Sequence, residues 1–508
     1  MPLTSQLGPS STLTTAQSDR AAGVLLALAA GDALGAGSEF GPPLAAAVPV
    51  LMDGGGSFGW APGEWTDDTS MAIAIAEVSA QGLDLHSVAA QDAIAARWAE
   101  WGSTAKDVGI QTRNVLNAAG RAALERAEPR PTAADLNAAA QTLHQRTGRT
   151  AGNGSLMRTA PVALAFLDDP ESLVAAATAL SALTHADPEA GEACVLWCLA
   201  IRHAVLHGTV DGLREALGHL PPERAAVWAD RLTEAETHEP AHFDHNGWVV
   251  QALQGAWSAI VRTPVLHDDG STTFAADHLR RALEAAVRGG RDTDTVAAIA
   301  GSLLGARWGS SAVPLSWRRR LHGWPGLRAR DLVRLGVLTA RRGQPDRQGW
   351  PSGAHVDYQT WPERDVLARL PQDDHVWLSG VGPLAGLPAD VTAVVSLCRL
   401  GADDVPVPAV GDGDHVEVWL VDREGAQHNP HLDHVLDEAA NMVAELRAEG
   451  KTVLLHCVQA HSRTPAVAAL YAHRLTGRSV TDCLEDIRTV LPNANPNGSL
   501  RAALDRLS

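Results

Sequence analysis

The sequence predicts a multidomain protein of two fold classes: an all-α domain over residues 18–342, then a smaller α/β domain over residues 366–508. Three observations carry this. At 508 residues the chain is too long for one ordinary domain. Its first part reads as successive helices separated by Gly, Pro and Asp breaks, with no comparable series of strands. Beyond a Gly/Pro-dense stretch at 343–365, which reads as a linker, short apolar strands alternate with helices.

Taken in order, residues 1–17 are Ser/Thr/Gly/Pro-rich and are expected to be disordered. The apolar run Ala21–Ala30 follows Ser18-Asp19-Arg20 rather than a basic segment and runs directly into Gly31-Asp32, so it reads as a first helix and not as a signal sequence. No apolar stretch is expected to reach the length that spans a membrane. Helices are expected at Thr69–Ala80, Leu85–Trp101, Thr132–Gln145, Pro188–His207, Gly247–Val261 and Phe274–Arg288. In the second domain, buried strands are expected at Val376–Leu378, Val391–Leu397, Val416–Val421 and Thr452–Leu455, and helices at Leu432–Ala448, Thr464–Leu475 and Val480–Leu491. Apolar residues are 45% of the chain but aromatics only 4%, which favours helices closely packed through alanine.

Composition removes several function classes. A net charge of −18 without a basic stretch argues against general nucleic-acid binding and against anionic membranes. Lysine occurs only as Lys106 and Lys451, leaving little room for Schiff-base or phosphate-loop lysine chemistry. Five cysteines (Cys194, Cys198, Cys398, Cys457 and Cys483) form no Cys-x-x-Cys, which fits reduced thiols and a cytoplasmic location.

Two acidic clusters stand out: Trp65-Thr66-Asp67-Asp68-Thr69 and Gly289-Gly290-Arg291-Asp292-Thr293-Asp294-Thr295. Each runs straight into an apolar, Ala/Ile-rich segment. One alone reads as a turn or a helix start; two of the same make-up are expected to close on one site. Their carboxylates and threonine hydroxyls are the oxygen ligands that hard divalent cations prefer, and at least four carboxylates are enough for two ions. Further segments of the first domain share this polar character. Gly31-Asp32-Ala33-Leu34-Gly35, followed by Glu39, reads as an acid in a mobile glycine turn after the first helix. Gly152-Asn153-Gly154-Ser155-Leu156-Met157-Arg158 is a loop that can approach a ligand through its backbone, and Thr184-His185-Ala186-Asp187 joins two helices.

Together and in this order, these five segments resemble the ADP-ribosylglycohydrolase family, over about residues 20–324. The resemblance implies an all-helical fold, a cleft for ADP-ribose and two Mg²⁺ ions, with Mn²⁺ in some members. It implies Thr66, Asp67, Asp68, Asp292, Asp294 and Thr295 as metal ligands. Asp32, Asn153, Gly154, Ser155 and His185 would contact the substrate, and Glu39 would lie on a loop that closes over it. Asp292 or Glu39 would take the proton of the attacking water.

In the second domain the strand ending at Leu455 runs into His456-Cys457-Val458-Gln459-Ala460-His461-Ser462-Arg463-Thr464 and then a helix. A cysteine, five residues and an arginine between strand and helix make a phosphate cradle of backbone amides, with an activated thiolate beside it. This segment is similar to the signature of the protein tyrosine and dual-specificity phosphatases, over about residues 373–500. That likeness extends to Val376–Gly380, Val394–Leu397 and Asn495-Pro496-Asn497. It implies Cys457 as nucleophile, Arg463 as phosphoryl clamp, Thr464 as an aid to thiolate release and Asp422 as general acid. The backbone of Val458, Gln459, Ala460, His461 and Ser462 would line the cradle. Most such loops carry glycine where this chain has Ala460; a positive φ there would strain the loop. The expectation is therefore a phosphatase of narrow specificity or a phosphate-binding remnant.

The whole chain is expected to hydrolyse an ADP-ribosyl linkage and to dephosphorylate a phosphorylated protein or small molecule. Its substrate would be an ADP-ribosylated protein, a nucleic acid or an ADP-ribose metabolite. The other reading is a non-catalytic ADP-ribose reader with a degenerate phosphate-binding domain.

Overall fold

Two helices that touch backbone to backbone organise the first domain. The computed structural model describes residues 13–269, 272–405 and 410–508. In it Thr15–Gly35 and Thr293–Trp308 cross so closely that a Cβ on Gly31 would lie 2.1 Å from the Ala297 carbonyl oxygen, and one on Gly305 would lie 2.0 Å from that of Gly23. Only glycine allows such an approach. The expected mobile turn at Gly31–Gly35 is thus corrected: these residues are the last turn of the first helix, and their glycines serve packing. Gly35 brings Asp294 into contact with that turn, since a Cβ there would lie 2.5 Å from the Asp294 Cα.

The chain start differs from expectation too. Residues 1–12 lie outside the described residues, whereas Thr14 caps a helix that begins at Thr15, its hydroxyl accepting from Gln17 N while the Gln17 side chain accepts from Thr14 N. The span Thr15–Ser38 is also long and apolar enough to cross a membrane, contrary to the length argument above; 89% of its most apolar window is buried inside the fold. It is the core helix of the domain. Around it the other helices form near their expected positions, including Asp67–Ser79, Val88–Gly102, Ala133–Thr147, Pro188–His207, Val249–Arg262 and Asp277–Arg288. A two-residue hairpin, His322–Gly323 with Leu327–Arg328, was not foreseen.

The second domain is a five-stranded sheet in the order Leu367–Leu370, Asp373–Ser379, Val453–His456, Ala393–Ser396, His415–Glu417. The first pair is antiparallel and the rest are parallel. Central Val453–His456 is buried along its whole length, which explains its unbroken apolar run. The loop after it therefore opens at the carboxyl edge of the sheet, where open α/β folds bind ligands. Leu432–Ala448, Arg463–Thr476 and Val480–Val490 are the expected helices. The strand Leu367–Leu370 and the helix Gly498–Leu507 are additional, and the strand expected to run to Val421 ends at Glu417.

Residues 343–365 contain no helix or strand, yet they are not a free tether. Trp350, Val356 and Tyr358 are buried, and the Tyr358 hydroxyl donates to the Arg399 carbonyl at 3.0 Å. The domains are joined further by Arg319, which pairs with both oxygens of Glu449 at 2.8 and 2.9 Å, and by Phe274, which packs in the second domain's core against His434.

Candidate functional site

In the helical domain both acidic clusters sit at helix N-termini that converge. Thr66 and Asp292 occupy the N-cap positions of Asp67–Ser79 and Thr293–Trp308, yet neither side chain caps its helix. The Thr66 hydroxyl donates instead to Asp68 Oδ2 at 2.9 Å, and Asp292 Oδ2 accepts from Asn153 Nδ2 at 2.7 Å. Giving up a cap costs about 1 kcal/mol per helix, so both groups are held for something else. Asp32, from the last turn of the first helix, ties the first cluster in place. Its Oδ1 accepts from Thr66 N at 2.9 Å, and its Oδ2 from Thr69 N and Oγ1 at 3.0 and 2.5 Å.

A backbone latch brings Glu39 to the second cluster. Phe40 N donates to Arg291 O at 2.6 Å and Arg291 N to Gly41 O at 2.8 Å, with Phe40, Arg291 and Gly290 all at positive φ. The result is two oxygen groups that share one residue: Asp32, Asp68 and Asp294 offer carboxylate oxygens within 4.8 Å of one another, and so do Glu39, Asp292 and Asp294. Thr66 and Thr295 are buried beside them. Asp67, expected as a ligand, falls in neither group; its Oδ2 accepts from Gly109 N at 3.3 Å.

No ion pair balances these acids, although the buried Arg158 guanidinium is near enough to feel Asp67. Among the described residues, none of Asp32, Glu39, Asp67, Asp68, Asp292 and Asp294 makes an ion pair. Burial, then the repulsion of neighbouring carboxylates, pushes Glu39 up to about 9 and Asp67 up to about 8; burial alone takes Asp32 to about 6. Asp68 Oδ1 is buried with no hydrogen-bond partner at all. Uncompensated buried charges cost several kcal/mol each. An oxygen-only donor set with an orphaned carboxylate oxygen fits hard divalent cations.

The loop expected to contact substrate closes one side. Asn153 is fixed by donating from Nδ2 to Asn246 O at 2.9 Å as well as to Asp292. His185 lies buried beneath this loop, its ring 3.2–3.6 Å from where Cβ atoms on Gly152 and Gly154 would stand, so the two glycines let the loop settle closely on the ring. Burial and then Arg158 hold its imidazole well below the usual range, leaving it neutral. It supports the loop from behind. Ser155 is likewise buried, accepting from Cys194 Sγ.

Sequence reasoning missed two contributors. Asn246 Oδ1 accepts from Asp292 N at 3.1 Å and its Nδ2 donates to Gly290 O at 3.0 Å, bracing the second cluster. Asp107 adds its charge to Asp67 and Glu39. Both come from loops distant in sequence from either cluster, and only an isolated polar residue beside glycine (Asn246-Gly247, Asp107-Val108-Gly109) could have marked them.

The second site lies at the end of Val453–His456. Cys457 is buried, and Ala460 has φ +56°, the strained conformation expected if alanine stood in a glycine position. That costs roughly 1–2 kcal/mol, an outlay tolerated where loop shape matters. Arg463 donates from Nη1 to Leu397 O at 2.6 Å and Leu420 O at 3.1 Å, while its buried Nε makes no hydrogen bond among the described residues. Asp422 joins the loop: its Oδ1 accepts from Ser462 Oγ at 2.7 Å and from Asn497 Nδ2 at 2.9 Å, and its Oδ2 lies 3.6 Å from Arg463 Nε. The Thr464 hydroxyl is buried and unpartnered. Gln459 and His461 anchor the connecting segment, through Pro362 O at 2.9 Å and Glu363 at 2.6 Å, and Val458 O accepts from Val381 N at 3.0 Å. All five cysteines are free thiols.

Comparison with known proteins places the helical domain. The sequence model of the ADP-ribosylglycohydrolase family matches residues 13–346. The chain is 29% identical over 310 residues to an ADP-ribosylarginine hydrolase, Tri1, of Serratia proteamaculans, covering 60% of this chain and 75% of that protein. It is 30% identical over 320 residues to the ADP-ribosyl-[dinitrogen reductase] glycohydrolase of Rhodospirillum rubrum, covering 60% and 90%. The chain is also 26% identical over 115 residues to human dual specificity protein phosphatase 15, covering 23% of this chain and 36% of that protein. Since the family match takes in most of the chain and all the acids of the first site, the chain belongs to the ADP-ribosylglycohydrolase family.

Proposed function

We propose that the helical domain hydrolyses an ADP-ribosyl N- or O-glycosidic linkage with the help of two divalent cations, Mg²⁺ or Mn²⁺. The observation that carries this is the pair of oxygen groups sharing Asp294, with no ion pair among the described residues to balance them. Asp32, Asp68 and Asp294 would hold one ion and Asp292 with Asp294 the other, with Thr66 and Thr295 hydroxyls beside them and Glu39 next to the second ion. When bound, such ions neutralise the acids and supply Lewis-acid polarisation. Glu39 makes no side-chain hydrogen bond among the described residues and sits on the latched loop, so it is the group placed to take a proton from the attacking water. Asn153 orients Asp292, and the Gly152–Ser155 backbone positions the ADP-ribose. The names of the relatives support an ADP-ribosylated arginine on a protein as the first substrate to test. Asp294→Asn, which touches both groups, is expected to lower ADP-ribose release by at least about 100-fold together with a fall in bound metal. Full activity with unchanged metal content would remove this carboxylate from the site. Tight ADP-ribose binding by the wild-type protein without turnover on any linkage would favour the reader instead.

For the second domain we propose a cysteine-dependent phosphatase acting in the reducing cytoplasm. The supporting observation is the convergence of Cys457, Arg463 and Asp422 on one loop at the sheet's carboxyl edge. The Cys457 thiolate attacks phosphorus, forming an S–P bond as the P–O bond to the leaving group breaks, and Asp422 gives that oxygen its proton. Water then attacks phosphorus, returning a proton to Asp422 as the S–P bond breaks and the thiolate leaves, assisted by the Thr464 hydroxyl. Arg463 holds the phosphoryl oxygens in both steps. Cys457→Ser is expected to lower phosphate release by at least about 10³-fold; undiminished release would assign the chemistry to another group.

A further inference from the structure

Beside the cysteine loop, between the two domains, lies a cavity of about 490 Å³ whose wall includes Val458, Arg463 and Asp422. Only the joined chain builds it. Arg318 and Val333 come from the helical domain, Trp350, Tyr358 and Trp361 from the connecting segment, and 417–423 from the α/β domain.

In a chain of net charge −18, five arginines (Arg318, Arg347, Arg399, Arg423 and Arg463) face two carboxylates, Glu417 and Asp422. Arg399 is already engaged with Asp346 at 2.8 Å, and Arg463 with backbone carbonyls. Arg347 and Arg423 are exposed and make no ion pair among the described residues, so they are free to meet negative charge. Four aromatic rings share the same wall. Trp350 packs on Trp419 at 5.8 Å and Tyr358 on Trp361 at 6.1 Å, both edge to face. Trp361 nevertheless stays 41% exposed, leaving ring surface for a planar partner. In the same wall Arg463 Nε lies 3.6 Å from Asp422 Oδ2 and Glu417 Oε1 lies 3.6 Å from Arg334 Nη2, while the Nε1 atoms of Trp350 and Trp419 are buried without a hydrogen-bond partner among the described residues.

We infer that this inter-domain cavity is the substrate pocket of the cysteine loop and that it takes a nucleotide, a phosphate monoester joined to a planar ring. The phosphate lies on residues 457–463, the ring against the aromatics of the connecting segment, and Arg347 and Arg423 meet further negative charge. The size is that of a small-molecule site, and a wall built from three parts of the chain hinders approach by the surface of a folded phosphoprotein. The inference rests on the phosphatase reading above and names its substrate class.

The test uses the full chain. Phosphate release is measured from adenosine 5′- and 3′-monophosphates, from p-nitrophenyl phosphate and from a phosphotyrosyl peptide, and binding of each nucleotide to the Cys457→Ser protein is measured by calorimetry. The expected result is a kcat/KM for one nucleotide at least tenfold above that for the peptide. Trp361→Ala should cut the nucleotide-to-p-nitrophenyl phosphate ratio at least fivefold. A preference for the peptide, or a ratio unchanged in Trp361→Ala, overturns the inference. Nucleotide binding to Cys457→Ser with no phosphate released from any compound by the wild type keeps the pocket and sinks the phosphatase. No nucleotide binding to Cys457→Ser overturns the pocket even if p-nitrophenyl phosphate is hydrolysed.

Discussion

The two sites are electrostatic opposites built on the same device, the N-terminus of a helix. In the helical domain, acids crowd two helix starts without an ion pair among the described residues, and one carboxylate oxygen on Asp68 has no hydrogen-bond partner there. In the α/β domain, the helix starts at Arg463, and the acid beside it, Asp422, accepts from Ser462 and Asn497. A helix N-terminus alone favours anions. On the proposed reading, crowding it with carboxylates calls for cations, whereas a helix start without such crowding would take phosphate. The difference is therefore chemical, and each site is expected to fail under a treatment the other survives.

The largest effect expected is from Glu39→Gln, which removes the unbonded carboxyl at the latched loop. ADP-ribose release should fall by about 10²–10⁴-fold while phosphate release is untouched. Equal losses at both sites would mean that the domains act as one unit and would break the comparison.

A smaller effect sharpens the cation half of it. In the cation-free protein, burial raises Asp32 to about 6, Asp67 to about 8 and Glu39 to about 9. Between the unfolded carboxylate range, near pH 4, and about pH 9, the folded state holds protons that the unfolded chain has released. Cation-free stability must therefore fall as pH rises through that window. The gain in Tm on adding Mg²⁺ should accordingly be larger at pH 8.5 than at pH 5.5. A gain that does not change with pH would show that these acids do not hold the ion.

The smallest effect concerns the phosphate loop. Ala460→Gly relieves a residue at φ +56° and should stabilise the protein by about 0.5–1 kcal/mol, read as a rise in Tm. A fall in Tm would show that the surrounding packing prefers the methyl group to the relaxed backbone.

Much of this was legible in the sequence because the informative residues are consecutive. Thr66-Asp67-Asp68 and Asp292-Thr293-Asp294-Thr295 announce themselves as oxygen-rich helix starts, and Cys457 to Arg463 fills one loop. Pro188–His207 and Leu432–Ala448 could be bounded to the residue because proline or a polar step marks their starts and an apolar face runs through them. What escaped depends on closure in three dimensions. Asn246 and Asp107 reach the site from unrelated loops. The glycines of Gly31–Gly35 read as a turn, because a sequence does not show that another helix backbone will press against them. The Gly/Pro composition of 343–365 concealed a segment whose Trp350 and Tyr358 are buried. In the second domain, the added strand Leu367–Leu370 is an edge strand too short and too mixed to declare itself.

The most direct measurement is release of free ADP-ribose, followed by mass spectrometry, from arginine-, serine- and DNA-linked substrates in Mg²⁺ and again in EDTA, with phosphate release from p-nitrophenyl phosphate followed in the same samples. The opposition of the two sites predicts that one linkage is cleaved in Mg²⁺, that EDTA abolishes this cleavage, and that phosphate release continues in EDTA. ADP-ribose release that is undiminished in EDTA would contradict the cation-demanding site on which the account rests.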